Sequence, residues 1–374
     1  MSGGIHASRA IVDLGAYAHN LGVARHFAGA RRTVMAVIKA NGYGLGALPM
    51  ARRALDSGAS MLGVATLDEG VELREGGIEG PILILMQPSA EAFPAAVTYD
   101  LTLTLCDLGA GKRLGDLARK ADRVLPVHCM VDTGMSRQGF SVESASRDIP
   151  ALARIAHLNI EGIATHFPIA ERAQDPFTLG QIEALKGVLA KLDEAGVPYD
   201  MVHGANSAGV INYGDRVFTV VRPGIMSYGV WPTEERPAVN PLRPVLHWIT
   251  QVSQVRALEP GATVSYGRTY ESPGGMIAAM LPVGYADGYR LALSNRAEVL
   301  IRGHRCPVRG RVCMDQMVVD VSHVPGVAVG DDAVLVGKQG EEEVTVEELA
   351  TLAGTIPYEI LTGIGRRVPR EYVG

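Results

Sequence analysis

No apolar run in the chain approaches the roughly 20 residues that a bilayer-spanning helix needs. The start, MSGGIHASRA, lacks the charged-then-apolar pattern of a secretory leader. Cysteine is scarce: Cys106, Cys129, Cys306 and Cys313 are spread over 374 residues without a C-x-x-C pair. That excludes a disulfide scaffold and argues against a structural zinc, so reduced thiols and no metal are expected. Charge of one sign is also missing in quantity. Lys+Arg 35 against Asp+Glu 40 gives a net −5 without long blocks, which removes the electrostatic footprint of a nucleic-acid binder. What remains is a cytoplasmic protein with neither membrane nor nucleic acid as partner, holding a small anionic or zwitterionic molecule by individually placed cations.

What is present is rhythm. Eight short apolar runs, TVMAVIK, MLGVA, PILILM, LTLTLC, LPVHCMVD, NIEGIATH, YDMVHG and FTVVRPG, follow one another between Thr33 and Gly224. Each is separated from the next by a helix-length segment, as in 107–120 and 176–195. Runs apolar on both faces, joined by crossovers, are what a parallel sheet covered by helices requires. Eight such units predict an α/β fold closed as a (β/α)8 TIM-type barrel; the same units could also form an open doubly wound sheet. Between Trp231 and Pro244 prolines and charges mark a linker. Beyond it, closely spaced strand patterns with Gly-rich turns predict a mainly β domain. Short helices are expected at 345–353 and 356–362, with an extended end. The expected division is a barrel over 1–235 and a β domain over 236–374.

Catalytic groups of such a barrel come from the C-terminal strand ends and the loops after them. There the chain puts Lys39 and Tyr43, Asp132 and Arg137, His166, His203 with Asn206 and Ser207, and Arg222 with Gly224. Lys39 closes an apolar run, where partial desolvation favours a neutral, nucleophilic amine; by itself it reads equally well as a lysine snorkelling to water. HGANSAG and RPGI, after strands seven and eight, suit phosphate held by backbone N–H groups. In that stretch Ser207 offers a hydroxyl and Asn206 a helix cap. Phosphate and an activated lysine together point to pyridoxal phosphate. Arg222 would then face the pyridine nitrogen, where a cation disfavours ring protonation.

AVIKANGYGLGA, VDTGMSRQGF, HGANSAG, VRPGIMSYG, VSYGRTY, PVGYADGY, GRVCMDQM and RRVPR, in this order, resemble the blocks of the fold-type III, pyridoxal-phosphate-dependent alanine racemases over essentially the whole length. The resemblance implies a barrel plus a β domain in a head-to-tail homodimer with shared active sites, the first ten or so residues packing with the β domain. It implies that Lys39 is the Schiff-base lysine and the base for the D-enantiomer. Tyr266, from the second subunit, would be the opposite-face base for the L-enantiomer. Two bases are needed because reprotonation from a single one favours retention. A phenol, with a reference pKa about 10, needs help to act near neutrality. The family supplies it through a chain from tyrosine to His166 to Arg222.

By the same mapping Tyr43, Ser207, Gly224 and Ile225 bind the cofactor phosphate, and His203 packs beside the ring. Arg137 and the backbone of Met314 hold the substrate carboxylate. Tyr285, Cys313 and Asp315 line or order the pocket from the partner. The chain departs from the pattern at Met130, where many members carry a carbamylated lysine that positions the arginine. A bound anion such as chloride, or another acidic side chain near Arg137, is therefore expected. Arg366 stands where a tyrosine is frequent, and HFPIAERA differs from the usual continuation. The runner-up is a racemase of other amino acids, serine first; a lyase or decarboxylase of the same barrel family is a more distant alternative.

Overall fold

The computed structural model describes residues 7–214, 216 and 218–374. They form two units, one of residues 17–42 and 47–243, the other of residues up to 16, 43–46 and 244–374.

In the first unit eight parallel strands close on themselves: Thr33–Val37, Met61–Val64, Ile82–Ile84, Thr102–Leu105, Leu125–Asp132, Leu158–Ala164, Met201–His203 and Val220–Val221. Each pairs with the next, and Val220 pairs with Thr33 to complete the ring. The closed barrel is therefore the outcome, and the open sheet is excluded. Met35, Met61, Leu83 and Val220 form one buried cluster from four of the strands, which removes their side chains from water at about 25 cal/mol per Å² of apolar surface.

The covering helices begin where the chain supplies caps. Asp107 accepts the Ala110 N–H ahead of Leu108–Lys120, and Asp175 accepts from Phe177 and Thr178 ahead of Pro176–Glu194. The first of these helices packs closely because Gly111 has no side chain; a Cβ there would lie 2.1 Å from Leu152 Cδ2.

The second unit is built on a nine-strand path in the order Gln254–Leu258, Met276–Leu281, Met317–Asp320, His304–Arg309, Glu298–Ile301, Asp332–Gln339, Leu246–Gln251, Arg9–Asp13, Arg370–Val373, with Glu342–Val344 beside Asp332–Gln339. Arg9–Asp13 lies antiparallel to Leu246–Gln251 and parallel to Arg370–Val373, joining both chain ends in one sheet. Val346–Ala353 and Pro357–Thr362 are its helices. Residues 231–244 carry no helix or strand. Among the described residues no helix is long and apolar enough to cross a membrane.

Candidate active site

Lys39 follows the first barrel strand, and the backbone after it turns left-handed. Ala40, Asn41 and Gly42 all sit near φ +55°, and Tyr43 has φ 54. For residues with a Cβ this costs of order 1 kcal/mol each, so the turn must be held. Gly42 N–H donates to Ile38 O at 2.7 Å, Ala47 N–H to Asn41 Oδ1 at 2.8 Å, and Ala40 N–H to Glu69 Oε1 at 2.6 Å. Glu69 also closes the capping box of Leu67–Glu75, with Oε2 accepting from Ala65 and Thr66. One carboxylate thus ties the second strand's loop to the turn that aims Lys39.

Burial lowers the Lys39 pKa, and the nearby cations Arg137 and Arg222 lower it further; Glu69 opposes them. A larger share of neutral amine follows at physiological pH. Arg137 is exposed, on the loop that Asp132 shapes by accepting the N–H groups of Gly134 and Ser136 at 2.9 and 3.0 Å. Among the described residues no carboxylate pairs with Arg137, so the acidic neighbour expected in place of a carbamylated lysine is not found among them. Met130, in the strand leading to that loop, is buried.

Arg222 is buried and makes a fan of contacts. Nη1 donates to His203 Nδ1, and Nη2 reaches Thr165 O at 2.9 Å and His166 Nδ1 at 3.0 Å. Burial, then Arg137, brings its pKa down to about 10, which still leaves it cationic near neutrality. Because a guanidinium only donates, His166 accepts at Nδ1 and its single proton sits on Nε2. Burial, reinforced by Arg222, Arg137 and Lys39, lowers the His166 pKa to about 3, and burial drives His203 well below its usual value.

Both rings therefore stay neutral when the unfolded chain takes up protons. Stability is expected to fall as pH drops from about 6.5 toward 3, each ring contributing a slope of about 1.4 kcal/mol per pH unit. Urea midpoints at pH 7 and 5 check this. His166→Asn should flatten the dependence, and an equally steep variant would contradict it.

Asn206 caps Ser207–Tyr213 by accepting from Gly209 at 3.0 Å, and its amide holds Phe167 O at 3.2 Å. The Ser207 hydroxyl accepts the N–H groups of Gly224 and Met226, at 2.8 and 3.3 Å, so the loops after strands seven and eight are joined around it. Ile225 is buried in that turn. An amine, a buried guanidinium, N–H-rich turns and an excess of cations suit an anionic aldehyde cofactor. Glu69, the carboxylate acting on Lys39, is already occupied by backbone N–H groups.

In the second unit Tyr43 stacks toward Tyr358, with ring centroids 6.0 Å apart. Tyr266 projects from a short helical turn and is 70% exposed. Tyr285 and Met314 are exposed as well, an unusual set of large side chains to leave in water. Their loops are zipped together: Tyr285 N–H donates to Cys313 O and Ala286 N–H to Met314 O, both at 3.0 Å. Gly284 permits the approach, since a Cβ there would lie 2.2 Å from Cys313 O. Cys313 Sγ meets Ser265 Oγ at 3.2 Å. Arg367 clamps the arrangement, bonding Asp287 through two nitrogens and Asp315 at 2.7 Å.

Glu69, Asp287 and Arg367 were not singled out in the sequence. The T-L-D-E spacing of a capping box was a usable signal for Glu69; Asp287 and Arg367 lie in the blocks PVGYADGY and RRVPR, but nothing local marks them as a pair across 80 residues.

Two family profiles match the chain: "Alanine racemase, N-terminal domain" over residues 12–232 and "Alanine racemase, C-terminal domain" over 245–372. A curated protein of Symbiobacterium thermophilum named alanine racemase is 46% identical over 371 residues, covering 99% of this chain and 98% of that one. A solved alanine racemase of Clostridium difficile superposes with TM-score 0.94 at 34% identity, covering 99% of this chain and 96% of the other. A Bartonella henselae alanine racemase, solved with covalently bound pyridoxal phosphate, gives TM-score 0.88 at 30% identity over 98% and 99% of the two chains.

Proposed function

Since the chain belongs to the pyridoxal-phosphate-dependent alanine racemase family, we propose that it is an isomerase interconverting L- and D-alanine with two bases on opposite faces of the substrate. The observation that carries this reading is the Lys39 amine, its pKa lowered by burial and two guanidinium groups, at the barrel mouth that also holds Arg222. Lys39 would hold the cofactor covalently, with Tyr43, Asn206, Ser207, Gly224 and Ile225 around its phosphate, His203 beside the ring and Arg222 toward the ring nitrogen. Bound there, pyridoxal phosphate supplies an electron sink that acidifies the substrate Cα–H.

The remaining work is proton transfer and positioning. Lys39 Nζ exchanges the α-proton of the D-enantiomer, and the partner subunit's Tyr266 exchanges that of the L-enantiomer through its Oη. A proton taken on one face and returned on the other inverts the centre; one base alone returns it where it was. His166 assists because Arg222 claims its Nδ1 and leaves the Nε2 proton to stabilise a phenolate. The Arg222 cation disfavours protonation of the ring nitrogen, which limits transamination.

Arg137 and the Met314 N–H hold the substrate carboxylate; the Met314 carbonyl is already taken by Ala286. Tyr285, Cys313 and Asp315 order the same wall from the partner, so a homodimer with shared sites is part of the reading. The test is initial-rate racemisation of L- and D-alanine by the purified protein with pyridoxal phosphate, beside serine, lysine and arginine. Serine turned over faster than alanine, or no exchange of any α-proton, would refute it.

A further inference from the structure

Behind Arg222 runs a line of hydrogen bonds that the proposed chemistry has not used. Arg222 Nη1 faces His203 Nδ1, and a guanidinium can only donate. His203 Nδ1 is therefore bare, and its single N–H is at Nε2. That nitrogen lies 2.6 Å from His128 Nδ1, which must accept. The proton of His128 is then on Nε2, 2.9 Å from Glu161 Oε2. Donation runs in one direction from the guanidinium to a carboxylate, and each ring is held in one tautomer.

Local structure is arranged around His128. The pairing of Leu125–Asp132 with Leu158–Ala164 shifts register between Val127 and His128, an irregularity of the kind that re-aims a side chain. Its register partner is Gly162, where an added Cβ would lie 2.6 Å from His128 Nδ1. The His128 side chain is fully buried, whereas Glu161 keeps a quarter of its side chain exposed. Barrel interiors are ordinarily filled by branched apolar residues, and a buried polar line stabilises nothing beyond them unless every member is satisfied.

We propose that His128 and Glu161 are positioning residues for Arg222: by fixing the His203 tautomer they hold Nη1 in place and keep Nη2 on His166. This rests on the racemase reading for its kinetic consequence, but not for the tautomers themselves.

Two measurements test it. In the full-length protein labelled with 15N-histidine, with and without pyridoxal phosphate, His128 and His203 should each be protonated at Nε2 alone. A ring protonated at Nδ1 overturns the proposal. In kinetics, His128→Leu strands the His203 N–H; kcat should fall about tenfold or more with KM for alanine within about twofold, and the bound-cofactor absorbance should shift. His128→Gln, which can accept from His203 and donate to Glu161, should recover most of the loss. Gly162→Ala, which leaves every polar group but displaces the ring, should reproduce it. Wild-type turnover in His128→Leu or in Gly162→Ala overturns the proposal, and so does a glutamine variant as impaired as leucine. Should the leucine variant not fold, Gly162→Ala and the tautomers decide. A wild-type protein without racemase activity would instead defeat the functional reading, leaving the tautomer measurement to judge this one.

Discussion

Lys39→Ala is expected to lower racemisation by about a thousandfold or more, because the substitution removes the nucleophile and one of two proton-transfer groups together. No neighbour can substitute. A guanidinium only donates, so neither Arg137 nor Arg222 can act as the nucleophile; Glu69 is occupied by backbone N–H groups, and His166 has its Nδ1 committed to Arg222. More than a contact is lost, because burial and the two guanidinium groups act on the amine at position 39 in particular. Lys39→Arg would keep the charge and should fail as badly, since a guanidinium is not a nucleophile here. Borohydride reduction followed by peptide mapping should label wild type at Lys39 and leave both variants unlabelled. Appreciable turnover in either variant, or labelling elsewhere, contradicts the assignment.

Tyr266→Phe should separate the two directions of exchange. With the phenol gone, the α-proton of L-alanine should exchange with deuterated solvent about 100 to 10,000 times more slowly. D-alanine, served by Lys39, should still exchange, but with retention of configuration. Equal loss in both directions would contradict the division of labour. The same variant tests whether the phenol comes from the partner. Mixing Lys39→Ala and Tyr266→Phe homodimers under conditions that reassort subunits makes half the dimers mixed. Each mixed dimer would contain one site with both residues intact, so activity should rise to about a quarter of wild type. No recovery would place both residues in one subunit's site. The 70% exposure of Tyr266 within its own chain is the feature that makes the experiment worthwhile.

The strands of the barrel were legible because each is a short apolar run bounded by polar residues, a signal contained in five to eight neighbouring residues. All eight runs became strands, in order. The helix-length segments at 107–120 and 176–195 were legible for the same reason, and they hold the helices Leu108–Lys120 and Pro176–Glu194. The left-handed turn after Lys39 was not, since Ala40 and Tyr43 are poor candidates for positive φ and adopt it only under the grip of Glu69 and Asn41. His128 was invisible inside LPVHCMVD, where it alternates like any core residue. Only the approach of Leu158–Ala164 and His203 reveals its two partners.

Local order in the chain therefore determined which segments are strands, which ends carry polar groups and which chemistry those groups suit, because alternation, caps and turn residues act over a few neighbours. Tertiary structure alone decided which nitrogen of His166 and His203 is bare, which guanidinium groups add to burial at Lys39, and which loops Arg367 clamps. Those properties depend on desolvation and on groups brought together from 19 positions apart, as His203 and Arg222 are, to 183, as Lys39 and Arg222 are, separations over which the one-dimensional pattern carries no information.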